Sequence, residues 1–306
     1  MTDSAGLLAP RPAGGLTCSA RARQAAESPA ATASFGRRWL LLEVAGAWGP
    51  RAFRDSPALD PAIGARIERR AAADGFRIAA IRRPGRARQA GGVRWRWARI
   101  DAAPGRESVV WGEGSGPADY LTDPFDRPGT RSDAIVVAVC AHGRHDQCCA
   151  TRGRAVAALL RRDDPEAVWE CSHIGGDRFA ATMLLLPHGI NYGWADTLDP
   201  RHMVSEYRAG RVVLAGLRGR SAFGFREQAA QDAARRRFGD LRIDAYEPVR
   251  SSRIGQLSWE VVLADPLGEI RVELTETHSE PLYSNCAATL ALPRPVFVVE
   301  SVSRPR

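Results

Sequence analysis

The chain has 306 residues, of which 44% are apolar and 25% charged. That balance excludes a wholly disordered protein, a fibrous repeat and a small disulfide-stapled scaffold. The net charge is +8 and every one of the 43 basic residues is arginine, spread along the chain rather than gathered on one segment, so no nucleic-acid partner is expected. No stretch approaches eighteen uninterrupted apolar residues, and residues 1–30 have no apolar signal core. A reduced, cytoplasmic protein with no membrane association is expected.

Residues 1–36 read as a disordered tail rich in Ala, Pro, Gly and Arg. Arg38–Val44 is a short run of large apolar residues suited to a buried strand. Asp60-Pro61 opens a helix as N-cap and N1, with Ile63, Ile67 and Ala71 on one face and Gly75 as its stop. Strands follow at Phe76–Ile81, Val93–Ile100 and Ser108–Gly112. The Arg-Trp-Arg-Trp alternation at 94–97 suits a half-exposed strand. This first α/β subdomain, 37–130, leads through a Gly/Pro/Ser/Asp-rich connection (113–133) into a second unit, 131–220. That unit begins with Ala134–Val139, β-branched and suited to full burial. A helix at Arg152–Arg162, a strand at Val168–Cys171, a hairpin from Thr182–Leu186 to Ile190–Trp194 and a helix at 201–209 complete it. The two units share an order of elements but show no residue-level repeat. A charged helix at 222–238 and strands at 258–263, 270–275 and 295–301 form a β-rich C-terminal part, 221–306.

Cysteine placement carries the chemical signal. Cys140, Cys148, Cys149 and Cys171 fall close together, with only Cys18 and Cys286 outside. In a reduced chain such a group binds metal or does redox chemistry more often than it forms disulfides. In Cys140-Ala-His-Gly-Arg-His-Asp-Gln-Cys148-Cys149 a strand delivers Cys140 to a loop that arches back to Cys149. A helix starts there, and its N-terminus favours thiolate charge. In Cys171-Ser-His173-Ile-Gly-Gly-Asp177-Arg178, His173 and Asp177 stand four apart in a glycine turn. The C-x₂₋₄-C knuckle of structural zinc sites and the C-x-x-C of thiol exchangers are both absent, so a compact cluster suits the spacing better than a lone ion. Adjacent Cys148 and Cys149 do not both face one metal readily. Cys18 and Cys286 receive no role.

Three motifs in order, Cys140-Ala-His142-Gly-Arg-His-Asp146-Gln-Cys-Cys149, Trp169-Glu-Cys-Ser-His173-Ile-Gly175-Gly176-Asp-Arg178-Phe179-Ala180 and Leu186-Pro-His-Gly189-Ile-Asn-Tyr192-Gly193, resemble the sucrase/ferredoxin-like family. The resemblance implies an α/β fold with a thioredoxin-like ferredoxin domain carrying a [2Fe–2S] cluster, and a redox partner protein. It implies two cysteine ligands, at Cys140 and Cys149, and two histidines four apart. The first histidine falls on His173; the second position is Asp177. The fourth ligand is thus Asp177, Cys171 or, less readily, Cys148. His142 and His145 are expected as exposed loop residues or as supporting donors, and Arg178 either offsetting cluster charge or in an ion pair with Asp177 or Glu170. His188 is expected exposed, and Trp169 and Phe179 on the site's apolar wall. No paired-carboxylate arrangement of a glycosidase is present.

Overall fold

The computed structural model describes residues 15–85 and 94–304. The first fourteen residues of the expected tail, and Val93 at the start of an expected strand, lie outside the described residues. The first element of the described residues is α1 (Cys18–Gln24), followed by β1 (Arg38–Glu43), α2 (Pro61–Ala73), β2 (Phe76–Arg82), β3 (Trp95–Asp101) and β4 (Ser108–Gly114). A short α3 (Asp123–Asp126) and β5 (Thr130–Ser132) occupy the expected connection. Next come β6 (Val136–Cys140), α4 (Arg154–Arg161), β7 (Val168–Cys171), β8 (Met183–Leu186), β9 (Ile190–Tyr192), α5 (Pro200–Arg208) and β10 (Leu217–Arg220). The C-terminal part holds α6 (Phe225–Phe238), β11 (Pro248–Arg253), β12 (Ser258–Asp265), β13 (Gly268–His278) and β14 (Pro295–Ser303).

Among the described residues, β1 to β10 form one mixed sheet in the order β10-β9-β8-β6-β7-β2-β1-β3-β4-β5. Its two halves are built alike. In the first, β1 and β2 are parallel and β3 and β4 extend the β1 side antiparallel. In the second, β6 and β7 are parallel and β8 and β9 extend the β6 side antiparallel. The shared order seen in the sequence is therefore a shared topology. The halves join edge to edge through β2 and β7, antiparallel, pairing Ile81 with Cys171 and Arg82 with Glu170.

Strand alternation decides what each face carries. Leu40 and Leu42 pack with Ile67 and Ala71 of α2, and Val137 and Val139 pack with Val156 and Leu160 of α4. The opposite face carries Trp39, Leu41, Ala79 and Ile81 from the first half and Ala138, Cys140, Trp169 and Cys171 from the second, in one apolar cluster. Beyond the sheet, the alanines of α6 (Ala229, Ala230, Ala233, Ala234) bring that helix close to Val261, Leu263, Ile270, Val272 and Leu274 of the four-stranded sheet β11-β12-β13-β14.

Residues 15–36 depart from the reading of a tail. Thr17 caps α1, and Cys18 and Ala22 are buried. Ser19 donates to the Ala180 carbonyl at 2.9 Å. Asp196 holds this helix in place, pairing with Arg23 at 2.7 Å and with Arg152 at 2.6 Å while accepting the Ala181 N–H. Composition alone hides this, because the segment is anchored by a few polar contacts rather than by an apolar run. Burial works against the ionised Asp196, but the Ala181 N–H and the two arginines outweigh it and hold its carboxyl below the ordinary 3.8. A lowered carboxyl stabilises the fold above the unfolded value and ceases to do so as pH falls through the folded one. Asp196→Asn is expected to cost about 1–3 kcal/mol at neutral pH. It should also reduce the loss of stability on acidification. Urea melts of both proteins at pH 7 and well below the ordinary 3.8 check this, equal differences at both pH values being the contrary result.

Candidate metal centre

The second half of the sheet sets the site. Strand β6 ends at Cys140, the register partner of Cys171 on parallel β7, so both side chains leave the same face. A wide π turn, Cys149–Gly153, follows the Cys140 loop and runs into α4. Such turns recur at functional sites. At Gly153 an added Cβ would fall inside the contact distance of the Cys140 carbonyl, so glycine is what lets the turn sit against the strand end. Gly175 and Gly176 take φ of 92° and 86°, bending the chain after His173 so that Asp177 comes back under it.

Cys140 and Cys149 meet as a thiol pair. Hydrogen bonding from Cys149, joined by His173, holds the Cys140 thiol well below its ordinary range despite burial. The same contact, with burial, pushes Cys149 well above it. The pair thus favours one thiolate, on Cys140. Cys149 Sγ lies 3.2 Å from Asp177 Oδ1. His173 Nδ1 is 2.9 Å from the same carboxylate, out of line for a hydrogen bond. His145 Nε2 is 3.3 Å from Asp177 Oδ2. Burial lowers the His173 pKa, but Asp177 and Cys140 outweigh it and push it up to about 9. Burial raises that of Asp177, but His145 and His173 outweigh it and hold the carboxyl far below its ordinary value.

Three of the expected site residues gather around Asp177: Cys149, His173 and, through both of these, Cys140. Cys171 faces the same way and shares the apolar cluster of Cys140 and Cys149, its thiol pushed well up by burial. Cys148 turns away, toward Cys18 and Cys286.

Trp169 keeps to the apolar cluster of Cys140 as expected, and other placements add to the sequence reading or differ from it. His145 is part of the site: its ring stacks on His173 at 3.9 Å between centroids and bonds Asp177, since the loop folds over the turn. His142 is buried, with Nε2 2.6 Å from the Gly49 carbonyl and its ring edge-on to Trp48. Arg178 pairs with Glu27, and Glu170 pairs with Arg82. His188 bonds Tyr207 through Nδ1 at 2.8 Å. Trp169 stacks on Trp111, and Phe179 lies edge-on to Trp194. Sequence reasoning missed Arg218. This arginine is buried beneath the glycine turn, donating to the Gly175 carbonyl at 2.8 Å and to Thr32. Burial lowers its pKa to about 9, while Asp177 and Cys140 favour its charge. One arginine among 43 carries no signal of its own.

The donors form a sulfur pair beside an imidazole–carboxylate group. Among the described residues His145, His173 and Asp177 could hold a metal ion, as could Cys18, Asp146, Cys148 and Cys286. No helix of the described residues is long and apolar enough to cross a membrane. No curated protein and no solved structure matches the chain. Residues 37–219, spanning both halves of the large sheet and every donor gathered around Asp177, match one family, and the chain belongs to it: sucrase/ferredoxin-like.

Proposed function

We propose that the chain is an electron-carrying or redox-responsive protein that holds a [2Fe–2S] cluster through Cys140, Cys149, His173 and Asp177. The observation that carries this reading is the 3.2 Å contact of Cys149 with Asp177, which joins the thiol pair to the histidine and carboxylate. The donor set fits the group: two thiolates serve one iron, and an imidazole with a hard oxygen donor serves the other. A buried His173 nitrogen without an aligned hydrogen-bond partner agrees with a ligand position. Bound there, the cluster would exchange one electron at a potential above that of an all-cysteine centre.

The chain's own residues supply the rest. Gly153 and the Gly175–Gly176 turn place the donors. Arg218 contributes buried positive charge that offsets the thiolates. His145, 32% exposed, stands beside Asp177 Oδ2 where the site meets solvent. The exposed flanks of His145 and His173 are where a redox partner protein would approach. Asp177 lies against both Cys149 and His173, while Cys148 faces another group, so Asp177 is the better fourth ligand.

A second reading, a dithiol exchanger using Cys140 and Cys149, draws on the lowered pKa of Cys140. Both thiols are at most 1% exposed, however, and exchange requires access to a substrate sulfur. The deciding experiment is an absorption spectrum of anaerobically purified protein with iron and acid-labile sulfide analysis. Red-brown protein with equal iron and sulfide, lost in Asp177→Ala and kept in Cys171→Ala, is expected. Colourless protein after reconstitution with iron and sulfide overturns the proposal.

A further inference from the structure

A second group of donors stands apart from the site just described. The sulfurs of Cys18, Cys148 and Cys286 form a triangle with edges of 3.7, 3.4 and 3.5 Å. Asp146 Oδ2 lies 3.6 Å from Cys18 Sγ. All four donor atoms fall within 4.8 Å of one another. Ligands held tetrahedrally at a zinc–sulfur distance of about 2.3 Å stand roughly 3.7 Å apart, so the group already has the dimensions of an occupied site.

Two features separate it from a chance packing of small apolar residues. The thiols pack on one another and on a carboxylate, and burying a carboxylate is costly unless a cation or donors compensate. In a chain with 43 basic residues, none of the described arginines pairs with Asp146. The carboxylate is oriented instead by the N–H of Cys148 at 2.7 Å and of Cys286 at 2.5 Å, as ligating carboxylates are. Cys18, Asp146 and Cys148 are all buried to 2% or less. The space is that of a single ion, whereas a two-iron cluster needs its ligand pairs further apart.

We propose that Cys18, Cys148, Cys286 and Asp146 form a structural zinc site. Four protein ligands leave no open position for substrate, which marks the site as structural. It ties together three distant parts of the chain: the first residue of α1, the loop that carries Cys149, and the connection between β13 and β14. Cys18 and Cys286 both lie outside the segment that matches the family. Adjacent Cys148 and Cys149 then serve two centres, one on each side of the loop.

The full chain, purified under reducing conditions and reconstituted with iron and sulfide, is expected to carry about one zinc per molecule. Cys18→Ser and Cys286→Ser should lose that zinc and keep wild-type iron, while Cys149→Ser should lose iron and keep zinc. Cobalt loaded into the wild-type chain should give the thiolate charge-transfer and tetrahedral ligand-field bands of a three-sulfur site. That spectrum decides the matter if a serine variant fails to fold. Zinc absent after incubation of the reduced protein with the metal overturns the proposal. So does zinc that leaves with Cys149→Ser but not with Cys286→Ser, or a disulfide joining two of the three thiols in anaerobically prepared protein.

Discussion

Serine in place of Cys140 is expected to leave a protein that folds but binds almost no iron. Oxygen is a poor substitute for sulfur toward iron–sulfur clusters, and Cys140 is the thiol whose neighbours already favour its ionised form. The substitution also buries a hydroxyl in place of a weakly polar thiol, at about 1–3 kcal/mol. Cys171→Ser is the matched control, because Cys171 is the register partner of Cys140 and equally buried. Both variants should lose similar stability in denaturant melts, and only Cys140→Ser should lose iron. Wild-type iron in Cys140→Ser would remove Cys140 from the ligand set and, with it, the reading built on the thiol pair.

Alanine at Gly153 is the second large effect expected. Its Cβ would enter the Cys140 carbonyl, a backbone atom at the end of a buried strand that cannot swing aside as a side chain does. Relief requires moving the π turn, and with it Cys149, or the end of β6, and with it Cys140. Overpacking of this kind costs about 1–3 kcal/mol or more. A Gly116→Ala chain, where an added Cβ meets nothing within 4 Å, should be close to neutral. Urea melts of the two variants give the comparison. Iron content should fall in the first and stay unchanged in the second. A Gly153→Ala protein as stable as the wild type would mean that the turn yields easily, and the close fit of turn to strand would not be what places the thiols.

The parts of the molecule that could be read in the sequence are those whose information is local. Asp60-Pro61 specifies the start of α2 through a side chain that accepts the Ala62 N–H at 2.7 Å. The apolar run before Cys140 is a buried strand because each residue in it faces one of two cores. The residues from 140 to 149 and from 171 to 177 suggested a shared centre since each group sits in one loop. What escaped notice depends on contacts between distant segments. Cys18 and Cys286 are 268 positions apart, and nothing in either neighbourhood marks them as partners. The docking of α1 rests on Asp196, and the seam between β2 and β7 on two register pairs. His145 looked like a loop residue because stacking on His173 is a property of how the loop closes. Arg218 looked like any other arginine because the carbonyls that hold it come from Thr32 and Gly175.

The likeness of the two halves of the sheet stops at their strand order. At the end of β1, where the second half has Cys140, the first half has Glu43, fully buried and paired with Arg96 at 2.9 Å. One seat of the repeated frame is taken by a satisfied charge pair and the other is equipped with soft donors. The two halves therefore share a strand order and not a chemistry, since only the second ends this strand in a sulfur donor. The side chains, and not the strand order, tell the two ends apart, with His145 and His173 part-exposed beside the second.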